Sequence, residues 1–298
     1  MSAPAGPKID KLAVLLRVVV YVFLAIAGMT IFPALMLPIA GYLVTAALSV
    51  FVSAAVANSI ALRIWEQSRL SAIGLAWTAA SRRNLLIGAA CGLAGGLLVT
   101  LAPIAARAAD LVRAPNALFQ WPSLIFVSIV LLLGAVGEEM LFRGYAFQLL
   151  LGVLGPFATI LPFGVLFGIA HLANQNVTTL GIVNTMLWGI LLGYAVLRSG
   201  DLWLPIGLHF GWNWTLPLFG ENLSGLTMGI TGVTVRWKVG DLWSGGAYGP
   251  EGGLLTSVVI AALFFCLHRA PVQAQPLLLA RLQPEARKQP ETRKQPEN

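Results

Sequence analysis

Apolar residues fall along this chain in long unbroken blocks. They show neither the two-residue alternation of a half-buried strand nor the single apolar stripe of a surface helix. The blocks cover 12–32, 37–62, 85–106, 122–151, 157–172, 180–197, 202–218 and 254–268. A helix needs about 20 apolar residues to cross a bilayer, so the pattern predicts eight spans. The fourth is long enough to tilt or to continue beyond the lipid, and the fifth, seventh and eighth are short. Trp121 and Trp203 stand at block starts, where amphipathic rings favour the membrane surface. The first block carries no convincing small-x-small cleavage site and reads as the first span.

What lies between the blocks completes the organisation. We divide the chain into N-terminal transmembrane helices (1–120), a core (121–218), an outer Gly/Trp-rich loop (219–253), a last transmembrane helix (254–268) and a basic tail (269–298). Loose alternation over 231–239 predicts a short hairpin in the loop. The tail repeats Pro-Glu-Ala-Arg-Lys-Gln as Pro-Glu-Thr-Arg-Lys-Gln, a charged low-complexity pattern that predicts disorder.

Composition agrees with the pattern. Hydrophobic residues make up 57% of the 298 positions and charged residues 10%, against about 25% charge in a soluble domain. The fold class is therefore all-α, a polytopic membrane protein with about eight helices around a buried polar cavity. The net charge of +7 does not point to nucleic acid, because the basic residues form no patch with interleaved aromatics. They sit at block ends instead. Lys8, Lys11, Arg17, Arg63, Arg69, Arg82, Arg83, Arg198 and the basic residues from Arg269 onward fall on one side of the predicted topology. Only Arg107, Arg113, Arg236 and Lys238 fall on the other. This bias predicts a multi-pass protein of the cell membrane with both termini cytoplasmic. Cys91 and Cys266 each lie inside an apolar run and read as small packing residues.

The candidate chemistry is carried by ionisable residues inside the blocks, since a charge at the bilayer centre costs about 2.5–3.5 kcal/mol on insertion scales. Three groups stand out: Glu138-Glu139 with Arg143, Phe167 with His171, and His209 with Asn213. Glu139 and Arg143 are four apart and share a helix face, which predicts an ion pair. Glu138 is turned about 100° away, and its own i+4 neighbour is Phe142, so it needs a partner from another helix. His209 and Asn213 also share a face, suited to two donors aimed at one developing oxyanion. His171, on a different helix, can flank a water from the side opposite Glu138. Together they form the equipment for direct peptide hydrolysis. The chain has no Gly-x-Ser-x-Gly and no His-Glu-x-x-His to compete with it.

The order Glu-Glu-x-x-x-Arg, Phe-x-x-x-His, His-x-x-x-Asn on membrane helices resembles the CPBP family. That family comprises type II CAAX prenyl endopeptidases and bacterial abortive-infection and bacteriocin-processing proteins. The resemblance covers about a third of the chain. It implies an intramembrane glutamic endopeptidase acting on a membrane-associated protein or peptide, prenylated CAAX-type chains included. Carried onto this sequence, Glu138 and His171 activate water, His209 and Asn213 form the oxyanion hole, and Glu139 and Arg143 support Glu138. No cofactor is expected. Two His and two Glu could ligate Zn²⁺, but Arg143 on the Glu139 face opposes a cation there. Two alternatives stay open: a metal-dependent variant of the same protease, and a non-catalytic immunity or scaffold partner in the membrane. A proton-linked transporter is a weaker third, since no inverted repeat is visible.

Overall fold

The computed structural model describes residues 10–114 and 119–277. It is an all-α polytopic membrane protein. Its helices are α1 (Lys11–Ala61), α2 (Ala79–Ala105), α3 (Trp121–Arg143), α4 (Tyr145–Leu154), α5 (Pro156–Ala170), α6 (Thr179–Ser199), α7 (Trp203–Leu218), a short α8 (Asp241–Ser244) and α9 (Leu254–Arg269). Among the described residues, four segments are long and apolar enough to cross a membrane: 11–66, 79–105, 121–154 and 179–199.

The first two predicted spans are the two arms of α1, which folds back on itself at Gly41. Pro33 and Pro38 remove backbone donors just before the bend, and Gly41 adopts φ 70°, a value that strains any side chain. The arms pack antiparallel: Asn58 Nδ2 donates to Tyr21 Oη at 3.2 Å, and Arg17 pairs with Glu66 at 2.8 Å. The boundary therefore lies later than the interval 33–36 that the apolar blocks suggested.

The fourth predicted span is two helices. Gly144 leaves the helical region (φ −75°, ψ −135°), and α4 begins at once. A broken helix in lipid strands its backbone groups unless something satisfies them. Asn58 does so from α1: its Nδ2 donates to Met140 O at 3.0 Å, and its Oδ1 accepts from Tyr145 N at 2.8 Å. A Cβ on residue 144 would run into both Met140 O and the Asn58 side chain.

Helices α2 and α7 cross at backbone contact. Gly88 and Gly92 face the Leu204–Trp212 backbone, while Gly207 and Gly211 face that of Leu85–Leu93. Small residues at i, i+4 on both partners allow this approach, as in close membrane-helix pairs. The consequence for the site is that α7 is held at a fixed depth and rotation. Its buried Leu204, Leu208, Trp212 and Leu216 join Val259, Ile260 and Leu263 of α9 in one core cluster.

The predicted outer hairpin takes another form. Strand β2 (Val233–Trp237) pairs antiparallel with β1 (Ala109–Arg113), with Ala109 opposite Trp237. The partner follows α2 because α2 and α7 run side by side and release their chains at the same end. With 219–253 this ribbon forms a cap on that end. The expected disordered tail falls mainly on 278–298, outside the described residues. Its first part, 270–277, is held: Gln273 N donates to Asn84 Oδ1 at 2.9 Å and Gln275 N to Ser199 O at 2.7 Å.

Candidate active site

The last two turns of α3 carry Glu138, Glu139 and Arg143 into the bundle. Gly137 makes this approach tolerable, since a Cβ there would press on the backbone of Val50 and Phe51 in α1. Glu139 and Arg143 are fully buried, and Arg143 Nη1 donates to Glu139 Oε1 at 3.2 Å. The guanidinium also donates from Nη2 to Gly189 O of α6 at 3.0 Å. It stacks over the Phe167 ring at 4.4 Å. Arg143 thus ties three helices together through groups that a buried cation requires.

Glu138 lies on the neighbouring face, lining a cavity of about 300 Å³. Its Oε2 is 3.9 Å from His171 Nε2 and 3.9 Å from His209 Nε2. His171 sits one residue past α5, as its C-cap, rather than inside the helix as the apolar block suggested. Its N–H bonds to Gly168 O at 3.0 Å, and its ring Nδ1 lies 2.7 Å from Phe167 O. A carbonyl accepts only, so Nδ1 carries the proton and the bare Nε2 faces Glu138.

His209 is buried on α7. Its Nδ1 lies 2.9 Å from Glu139 Oε1. With Nδ1–H given to that carboxylate, Nε2 accepts in the neutral ring and donates in the imidazolium. Asn213, one turn on, lines the same cavity. Glu138, Phe167, His171, His209 and Asn213 therefore come from three separate stretches of chain to line one cavity, with Glu139 and Arg143 buried beside them.

Some of this was not visible from spacing. Helix phasing paired Glu139 with Arg143, but its second partner, His209, is 70 positions away on another helix. Phe167 is a hub, with its ring centroid 4.8 Å from that of His171 and 6.1 Å from that of His209. Its place four before His171 singled it out, but its contacts with Arg143 and His209 could not be read from spacing. Glu251, from the outer loop, also lines the cavity. Its isolation in a Gly-rich stretch gave no hint of that.

Zn²⁺ is the cation the donor types would suit. Yet among the described residues no three His, Cys, Asp or Glu side chains form a metal-holding group. Glu139 is turned to Arg143 and His209.

Residues 120–215 match the family model for type II CAAX prenyl endopeptidases described as Rce1-like. Over this segment the chain is similar to Rce1-like endopeptidases. The match begins beside Trp121 and ends two residues past Asn213, so it contains all three motifs and the helices that present them. The Rce1-like family is one of CAAX-type proteases working at the membrane, on membrane-associated protein substrates. A search of curated proteins found no match to the chain. The cap from 219 onward lies outside the Rce1-like segment.

Proposed function

We propose that the protein is an intramembrane endopeptidase that hydrolyses a peptide bond of a membrane-associated protein or peptide without a covalent intermediate. The observation that carries the reading is the pair of imidazole Nε2 atoms at 3.9 Å from one carboxylate oxygen, Glu138 Oε2. That separation is too long for a direct hydrogen bond and suits a shared water at about 2.8 Å from each side.

In this mechanism the water donates one hydrogen to Glu138 and the other to the bare Nε2 of His171, which aims an oxygen lone pair at the scissile carbonyl. Glu138 takes the proton as the water oxygen bonds to the carbonyl carbon. The carbonyl π pair moves onto oxygen, and the resulting alkoxide accepts from His209 Nε2–H and Asn213 Nδ2–H. His209 acts as the imidazolium, with its Nδ1–H on Glu139 Oε1. When the intermediate collapses, the C–N bond breaks and Glu138 returns its proton to the leaving nitrogen. Arg143 supports the array by holding Glu139, which in turn fixes the His209 ring.

The substrate class follows the family, and prenylated CAAX-type chains fall within it. The reaction is proposed without a metal. The excess of basic residues on the side of 62–83, Arg198 and the tail supports cytoplasmic termini. In that topology Glu138, late in α3, and His209, early in α7, lie in the cytoplasmic half of the bilayer.

The test is peptide cleavage by purified protein in detergent or liposomes, with Glu138→Ala beside the wild type. Turnover retained by the variant removes Glu138 from the mechanism. Activity abolished by a chelator and restored by Zn²⁺ overturns the metal-free reaction.

A further inference from the structure

The cavity that Glu138 lines is also lined by the cap, through Leu223, Ser224, Leu226, Met228 and Glu251. Most of its wall is apolar, including Trp188 and Trp212, whose rings lie 4.8 Å apart. Two carboxylates, Glu138 and Glu251, line it together with His171 and His209, and among the described residues no Lys or Arg does.

Glu251 is buried and rigidly held. Its Oε1 accepts from Trp212 Nε1 at 3.0 Å. Its Oε2 accepts from Ser224 N at 2.6 Å and from Ser224 Oγ at 2.8 Å. These donors are all neutral, and among the described residues no cationic side chain pairs with Glu251. A carboxylate offers about four lone-pair positions, so three bonds leave one open. Asn174, Gln175 and Thr185 are further polar residues of the cavity wall. The burial of an unneutralised carboxylate is costly unless a cation completes it.

Resting on the protease reading above, we propose that Glu251 is a specificity-determining residue: it forms a cation-reading subsite that selects a Lys or Arg side chain in the substrate. Trp212 lies three residues beyond His209 on α7. The subsite is thus on the order of 10 Å from the oxyanion position, about a helical turn plus an indole. An extended peptide advances about 3.3 Å per residue, so the basic side chain belongs about three residues from the scissile bond. The cap lies outside the Rce1-like match, so this preference belongs to the chain's own addition to the core.

The experiment uses the full chain carrying Glu138→Gln, so that peptides bind without turnover. Three dansyl-labelled apolar peptides are titrated in neutral detergent at low salt, alike except for Lys, Met or Glu about three residues from the centre. The Lys peptide binds at least ~10-fold tighter than the Met peptide, as expected for a charge-assisted bond, and the Glu peptide binds weakest. Adding Glu251→Gln removes the Lys advantage and leaves the Met peptide's affinity in place. Because that change also disturbs Trp212 and Ser224, Leu226→Lys serves as a second variant. It adds a cation to the wall without touching the Glu251 bonds, and it abolishes or reverses the preference. Equal binding of Lys and Met peptides overturns the subsite, as does a preference that survives both variants, or no binding of any peptide. The two readings separate cleanly. Lys-selective binding without hydrolysis by the Glu138 protein sinks the protease and keeps the subsite. Hydrolysis with indifferent binding does the reverse.

Discussion

Replacing Arg143 by Met keeps an unbranched apolar stem and removes the charge from a fully buried site. The change deletes the bond to Glu139 at 3.2 Å, the bond to Gly189 O at 3.0 Å and the stacking on Phe167. Glu139 is left fully buried with His209 Nδ1 as its remaining bonded partner. Neutral interhelical hydrogen bonds in membrane bundles average only ~0.6 kcal/mol, so their loss alone would be minor. Removing one partner of a buried ion pair is different, at about 3–5 kcal/mol, and His209 on Glu139 Oε1 offsets only part of it. The second effect wins if Glu139 is ionised. Arg143→Met is then expected to destabilise by ~3 kcal/mol or more, measured by reversible unfolding in mixed micelles. Adding Glu139→Gln removes the stranded charge and restores part of the loss, so a double-mutant cycle gives a coupling of about 1–3 kcal/mol. A loss under about 1 kcal/mol, with no coupling, refutes the argument that Arg143 is held as Glu139's countercharge.

Other outcomes follow from the same geometry. Asn58→Ala removes the side chain that bridges the α3–α4 break. It should cost about 2–3 kcal/mol in unfolding through the stranded Met140 carbonyl and Tyr145 amide. Gly211→Val sets a branched side chain against the Ala89 carbonyl. It is expected to shift α7 and abolish peptide cleavage, while Ala at the exposed Gly229, where nothing lies within 4 Å, leaves cleavage unchanged. In the cap, burial pushes the Glu221 carboxyl up from 4.5 to about 7, against the opposing bond from Trp237 Nε1. A raised folded value means that the native state holds its proton more tightly than the unfolded chain. The stabilisation is therefore complete below about 4.5 and is lost as pH rises through about 7. Wild-type stability should fall relative to Glu221→Gln between pH 5 and pH 8, by no more than ~3 kcal/mol; parallel pH profiles would contradict it.

Much of the helical layout could be read from apolar blocks, because lipid demands continuous apolar helix and little else imitates it. The breaks could not be placed that way. Gly41 sits in a run whose hydrophobicity continues unchanged, and apolar residues resume directly after Gly144. The side chain that satisfies the second break, Asn58, comes from another helix. Within α3, the i, i+4 rule located the Glu139–Arg143 pair because both partners share one helix. It was silent on His209, since spacing carries no information across a bundle. The cap was the least legible. Its strand pairs with 109–113 and its Glu251 meets Trp212, contacts set by where α2 and α7 end and by no local pattern.

The central claim is that Glu138 activates the attacking water. Glu138→Gln preserves the shape of the side chain and removes its basicity, and the decisive measurement is its steady-state peptide hydrolysis beside the wild type. The account predicts that kcat falls by at least ~10²-fold, the usual contribution of a general base, while KM stays within about threefold because binding does not use the proton. A kcat close to wild type would contradict it.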